Sequence, residues 1–132
     1  MTFFDRLVQK HRKNGLLIDT NLLLLFFIGS FNRQLISTFK RTHQFTEDDY
    51  VLLVDLMLRF GRLITTPNIL TEVSNLSNQL PENVKRGYFK VFEQRLSALT
   101  EIYVETSETV KDPALWWLGV TDAGILHVAG EP

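Results

Sequence analysis

Hydrophobic positions along the chain follow two spacings, which together predict alternating helices and strands. Four residues near the start recur at helical spacing: Phe4, Leu7, Val8 and His11. This spacing predicts an amphipathic helix over residues 3–13, which Asn14 and Gly15 end. Three short apolar runs instead predict strands: Leu16–Ile18, Leu63–Thr65 and Ile102–Val104. A continuous apolar run of this length is typical of a strand buried on both faces of a parallel sheet.

Seven further helices are predicted around these strands, from apolar spacing and from residues that cap helices. They run from about Asn21 to Ile28, Leu35 to Phe39, Thr46 to Phe60, Pro67 to Asn78, Pro81 to Leu99, Pro113 to Trp117 and Asp122 to Ala129. Gly29 and Ser30 are predicted to end the first of these seven. Strands that alternate with helices indicate an α/β fold with a parallel sheet and right-handed crossover connections.

The most apolar stretch of the chain, from Leu16 to Phe31, is too interrupted to be predicted as a membrane-spanning helix. A spanning helix needs about 20 mostly apolar residues. The continuous run Leu22–Ile28 has only seven, and Asp19 and Asn21 precede it. We therefore expect a buried strand that leads into a buried helix, and no contact with a membrane.

Composition indicates one globular domain in a reducing compartment. The chain has 132 residues, of which 45% are hydrophobic and 22% are charged, and these values suit a single packed domain. Its net charge of −1 hides a basic first third, because residues 1–43 carry seven basic and two acidic side chains. The absence of cysteine excludes disulfides, thiolate metal ligands and a cysteine nucleophile. We expect the protein in the cytoplasm.

Three acidic residues follow or lie near the ends of predicted strands. Asp19 ends the first strand, Glu72 lies in the helix after the second, and Asp122 opens a helix downstream of the third. In open parallel sheets the functional crevice lies at the carboxyl ends of the strands. Carboxylates that converge there need a cation between them, and ligands that are all oxygen favour Mg²⁺ or Mn²⁺. Each acid alone also has a structural explanation, such as a favourable place near a helix start.

The segments around these acids resemble, in order, the three leading motifs of the PIN-domain nucleases. They are Leu17-Ile18-Asp19-Thr20-Asn21, Thr65-Thr66-Pro67-Asn68-Ile69-Leu70-Thr71-Glu72-Val73 and Leu118-Gly119-Val120-Thr121-Asp122-Ala123. The resemblance covers about residues 15–129. It implies a three-layer α/β/α fold with a parallel central sheet, in a single PIN-like domain over 1–132. Residues 1–14 would form the N-terminal amphipathic helix of that domain, and 15–129 its motif-bearing core.

The resemblance also implies a chemistry. Asp19, Glu72 and Asp122 would be the catalytic residues and the ligands of Mg²⁺ or Mn²⁺, and the ion would activate water for attack on a phosphodiester. Three further residues match supporting positions of the motifs: Thr20, Asn21 and Thr121. Thr20 and Asn21 would shape the loop around the first acid, and Thr121 would lie beside the third.

This chain departs from the family pattern after the third motif. No residue matches the fourth acid of the family or the strand that carries it, so we expect a C-terminally shortened PIN-like domain. The missing strand would lie next to Leu16–Ile18, and the resemblance therefore predicts an open sheet edge at that strand. Either another edge-completing chain or a second, swapped copy of the chain would cover such an edge, or the chain is a shortened product of poor solubility.

The predicted function is that of a metal-dependent ribonuclease (a hydrolase) acting on single-stranded RNA. The toxin of a toxin–antitoxin pair, with an antitoxin as its protein partner, is a role common in the family that the chain resembles. The alternative is a catalytically weak or inactive PIN-like module that binds RNA or a protein. A third interpretation is a small structural α/β domain whose acids are placed by chance.

Overall fold

The computed structural model of the protein describes residues 6, 9, 15–60, 62–97, 99–101, 115–120 and 126–129. Its elements after residue 14 are, in chain order, β1 (Gly15–Ile18), α1 (Thr20–Phe31), α2 (Leu35–Thr38), α3 (Glu47–Arg59), β2 (Arg62–Thr65), α4 (Pro67–Ser77), α5 (Glu82–Leu96), β3 (Thr100–Glu101), β4 (Leu115–Val120) and β5 (Leu126–Ala129). Of the predicted helix over residues 3–13, the described residues are Arg6 and Gln9, which are both helical and exposed.

The strands form one five-stranded sheet in the order β3-β2-β1-β4-β5. The first four strands are parallel, and β5 runs antiparallel to β4. The protein is therefore a mixed α/β protein with a largely parallel sheet, as predicted. The predicted open edge at Leu16–Ile18 is wrong, because β1 is the central strand. Leu16 pairs in register with Leu63 on one side and with Trp116 on the other.

The segment after residue 114 forms strands where helices were predicted. The predicted helix from Pro113 to Trp117 is wrong, because Leu115–Val120 is a strand paired with β1. The predicted helix from Asp122 to Ala129 is also wrong over its second half, where Leu126–Ala129 pairs antiparallel with β4. An unbroken apolar run with two tryptophans favours a strand when a neighbouring strand is available. The predicted strand Ile102–Val104 lies outside the described residues, and β3 precedes it directly.

Helix α1 is buried on every side, which confirms the prediction of a buried strand leading into a buried helix. Six of its apolar side chains have no exposed surface: Leu22, Leu23, Leu24, Leu25, Phe27 and Ile28. The helix contacts α3, α4 and α5, so apolar residues around its whole circumference are covered. Across the described residues, no helix is long and apolar enough to cross a membrane.

The predicted end of α1 at Gly29 and Ser30 is wrong, because the helix continues to Phe31. A Cβ atom at Gly29 would overlap the ring of Tyr50 on α3. Glycine at this position therefore permits a close approach between two helices and does not break the first one. The Ser30 hydroxyl also hydrogen-bonds the Tyr50 hydroxyl at 3.3 Å.

The starts of α3 and α4 are as predicted. At α3, the Thr46 hydroxyl accepts from the Asp49 N–H at 3.1 Å, and the Asp49 carboxylate accepts from the Thr46 N–H at 2.9 Å. This reciprocal pair satisfies two backbone donors that the helix itself leaves unpaired. At α4, Thr66 caps the helix and Pro67 occupies its first position, where the missing N–H of proline costs nothing.

Helices α4 and α5 are joined by a buried hydrogen-bond chain. The Ser77 hydroxyl donates to the Val73 carbonyl at 2.7 Å, and the Tyr88 hydroxyl lies 2.7 Å from Ser77 Oγ. Because Ser77 has one proton to give, Tyr88 is the donor in their bond. Burial raises the pKa of the Tyr88 phenol above its usual range, and the bond with Ser77 offsets only part of this. These hydrogen bonds hold α4, which carries Glu72, against α5.

Candidate metal centre at the carboxyl edge of the sheet

The strand order places a topological switch at β1. The chain passes from β1 to β2 and β3 on one side, and then returns to add β4 on the other side. All four strands are parallel, and Ile18 at the end of β1 is in register with Leu118 of β4. Connections that leave a parallel sheet in opposite directions open a crevice at the carboxyl ends of the two strands. Asp19, the residue that follows β1, therefore borders the expected crevice.

Asp19 occupies this position after β1. It is half-buried and is the N-cap of α1, where its Oδ1 accepts from the Leu22 N–H at 2.9 Å. An aspartate is among the best N-caps because its oxygen satisfies a backbone donor that the first turn leaves unpaired. The structure thus places the first predicted ligand at the switch point, and also gives it a structural role there.

Thr66, the residue that follows β2, is likewise the N-cap of a helix. Its hydroxyl accepts from the Ile69 N–H at 3.2 Å and starts α4. Leu17 of β1 pairs with Ile64 of β2. Asp19 and Thr66 each follow two residues after that pair, so they lie side by side at the carboxyl edge of the sheet. The N-termini of α1 and α4 consequently open at the same sheet edge. Their helix dipoles direct partial positive charge to that edge, which favours bound anions.

Glu72 lies farther along α4 and is exposed. Its helical neighbours Ile69 and Val73 are buried, so Glu72 lies beside the buried face of α4. No hydrogen bond or ion pair with another described residue engages its carboxylate. The second predicted ligand is therefore a solvated carboxylate on the helix that starts at the crevice.

The supporting residues divide between described and undescribed parts of the chain. Thr20 is the first residue of α1 and is half-buried, and Asn21 beside it is exposed. Thr121 and Asp122 lie outside the described residues and come one and two positions after Val120, the last residue of β4. Within the part of the chain that the structure describes, no group of three His, Asp or Glu side chains forms a metal site. Asp19 and Glu72 are thus the two predicted ligands that the structure places.

Thr65 is a polar residue at this edge that begins the second motif and ends a predicted strand, and the sequence alone assigned it no role of its own. It ends β2, is 1% exposed, and its hydroxyl oxygen has no hydrogen-bond partner among the described residues. A buried hydroxyl without a partner is unusual and unfavourable. The sequence feature that could have drawn attention to Thr65 is a hydroxyl residue at the end of an otherwise apolar run, directly before the capping Thr66.

No family model, curated protein or solved structure matches this chain. The candidate site therefore depends on the sequence motifs and on the placement of Asp19 and Glu72.

Proposed function

We propose that the protein is a PIN-like ribonuclease that uses Mg²⁺ or Mn²⁺ to hydrolyse single-stranded RNA. The observation that carries the proposal is the place of Asp19, directly after the central strand at the topological switch. A three-layer α/β/α arrangement in one domain belongs to the same proposal. So do a cytoplasmic location, which the absence of cysteine favours, and the role of a toxin that an antitoxin restrains, which the resemblance implies.

The proposed ligands are Asp19, Glu72 and Asp122, a donor set of carboxylate oxygens that fits Mg²⁺ or Mn²⁺. Such an ion, when bound, lowers the pKa of a water molecule and neutralises charge on the phosphate. Asp19 would contribute a carboxylate that the start of α1 holds in place through Leu22. Glu72 would contribute a carboxylate that no described partner neutralises. The N-termini of α1 and α4 would favour the approach of a phosphate.

The deciding experiment replaces Asp19 with asparagine. Asparagine caps helices as well as aspartate does, so Asp19→Asn removes a charge and leaves the fold intact. Loss of a metal ligand worth several kcal/mol predicts a fall in cleavage rate of ~100-fold or more. The measurement is cleavage of fluorescent single-stranded RNA in Mn²⁺ or Mg²⁺, with EDTA as the metal-free reference.

Asp55→Asn is the matched control for Asp19→Asn. Asp55 is exposed on α3, where it pairs with Arg59 at 3.4 Å, and its replacement should leave cleavage unchanged.

Glu72→Gln should lower the rate of RNA cleavage as Asp19→Asn does. Cleavage that survives EDTA or Asp19→Asn would contradict the proposal. RNA binding by the wild type without metal-dependent cleavage would favour the inactive binding module.

A further inference from the structure

A pocket of about 280 Å³ lies between α1, α3, β2 and the end of α5. Its described walls are mainly apolar and include Phe26, Val54, Met57, Leu58 and Leu63. A volume of this order suits a small ligand rather than a large cofactor. The pocket thus offers an apolar compartment that the proposed nuclease chemistry does not use.

Two kinds of polar group border this compartment. The hydrogen-bonded hydroxyls of Ser30 and Tyr50 lie in one wall. Arg95, from the last turn of α5, is the charged residue among the described lining. It is exposed and has no hydrogen bond or ion pair with another described residue. A second guanidinium, that of Arg33, lies 5.3 Å from the centroid of the Tyr50 ring.

The rim of the pocket exposes apolar surface. Leu58, which lines it, is 81% exposed. Large exposed apolar side chains at the rim of a concave site are typical of a surface that binds an apolar group. The charged residue in the described lining is the cationic Arg95, so the complementary ligand is apolar at one end and negative at the other.

We propose that this pocket binds a small amphiphilic anion, such as a carboxylate with an alkyl chain of about ten carbons. The alkyl chain of the ligand would lie against Phe26, Val54 and Met57. Its carboxylate would accept a hydrogen bond from the guanidinium of Arg95. Charge-assisted bonds between arginine and carboxylate are the strongest that such a site offers. This inference does not depend on the proposed ribonuclease activity.

The pocket is separate from the candidate metal centre. Phe26 and Ser30 lie seven and eleven residues beyond Asp19 in the same helix. At 1.5 Å per residue they are about 10 and 17 Å from Asp19 along the axis of α1. A ligand in the pocket would therefore leave the carboxyl edge of β1 open.

The test is a calorimetric titration of the whole chain with decanoate, and with decylammonium as the probe of opposite charge. We expect saturable binding of decanoate, and no binding or at least tenfold weaker binding of decylammonium. Arg95→Gln should weaken decanoate binding about tenfold, because a charge-assisted hydrogen bond is lost. Arg86→Gln, also exposed on α5 but outside the described lining, should bind as the wild type does.

A variant that fills the pocket separates this site from a nonspecific surface effect. Val54→Phe should abolish decanoate binding while a thermal melt shows a folded protein. Equal binding of both probes would overturn the proposal, as would an Arg95→Gln affinity equal to that of Arg86→Gln. Absence of decanoate binding together with self-association that Leu58→Glu abolishes would overturn it in favour of a second copy at this surface. Because no RNA is used, these outcomes are independent of the nuclease test.

Discussion

The two ends of helix α1 are held by different kinds of interaction. At its start, Asp19 accepts from Leu22 three residues later, and beside it Thr66 accepts from Ile69 three residues later. Near its end, Ser30 bonds Tyr50 twenty residues away, and Gly29 packs directly on the same ring. The start is organised by local hydrogen bonds, and the end by contacts between distant parts of the chain.

This difference explains which helix boundaries the sequence predicted correctly. A cap three residues from its donor is a pattern that can be read in the sequence itself. A glycine inside a helix has two opposite interpretations, a helix end or a close approach, and only the neighbouring helix decides between them. Accordingly the starts of α3 and α4 were predicted correctly, whereas α1 was predicted to end at Gly29.

The strongest test of this contrast is Gly29→Ala, at the end that depends on tertiary contacts. The new Cβ would overlap the Tyr50 ring, and overpacking of a core costs about 1–3 kcal/mol. Alanine is the better helix former by about 1 kcal/mol, so we expect a net loss of up to about 2 kcal/mol in the free energy of unfolding. Urea denaturation followed by circular dichroism measures this loss.

Gly87→Ala is the control for the Gly29 variant, since both glycines lie inside helices. A Cβ at Gly87 would lie 3.1 Å from Cε1 of Phe31, and Gly87 is exposed. This contact calls for a shift of only a few tenths of an ångström in one side chain, so the variant should lose much less stability than Gly29→Ala. If Gly29→Ala were as stable as the wild type, α1 and Tyr50 would not be in the close contact described above.

A smaller effect is expected from Thr66→Ala, at the start of α4, which is likewise organised by a local hydrogen bond. Loss of the cap on α4 should cost about 1 kcal/mol, and Thr66→Ser should restore most of it. Thr46→Ala removes the corresponding cap of α3 and serves as the reference away from the crevice. Both costs come from the denaturation midpoints. A cost near zero at Thr66 alone would mean that another group caps α4.

The smallest expected effect is that of a substitution at Thr65. The test is whether the free energy of unfolding rises or falls. Thr65→Val removes a buried hydroxyl that has no partner in the part of the chain that the structure describes, so the free energy of unfolding should rise by up to about 1 kcal/mol. Thr42→Val is the matched control, because the buried Thr42 hydroxyl donates to the Ile36 carbonyl at 2.8 Å. That variant should be less stable by about 1 kcal/mol. A lower melting temperature for Thr65→Val would show that its hydroxyl has a stabilising partner.

The candidate site was predictable from the sequence only where local structure determines it. Asp19 at the end of a buried strand was found from the run Leu16–Ile18 and from the motif that follows. The motif around Glu72 placed that residue on a helix after the second strand, as the structure has it. That β1 lies at a topological switch was not predictable, because it depends on which strands pair.

Taken by itself, the sequence determined the buried strand β1, the buried helix α1 and the capped starts of α3 and α4. These features depend on apolar spacing and on hydrogen bonds between residues three apart, which any fold of the chain would retain. Only the tertiary structure decided that Leu115–Val120 is a strand beside β1, that α1 continues through Gly29, and that β1 is central. Each of these depends on a partner far away in the sequence, and the free energy of that contact outweighs the local preference of the segment.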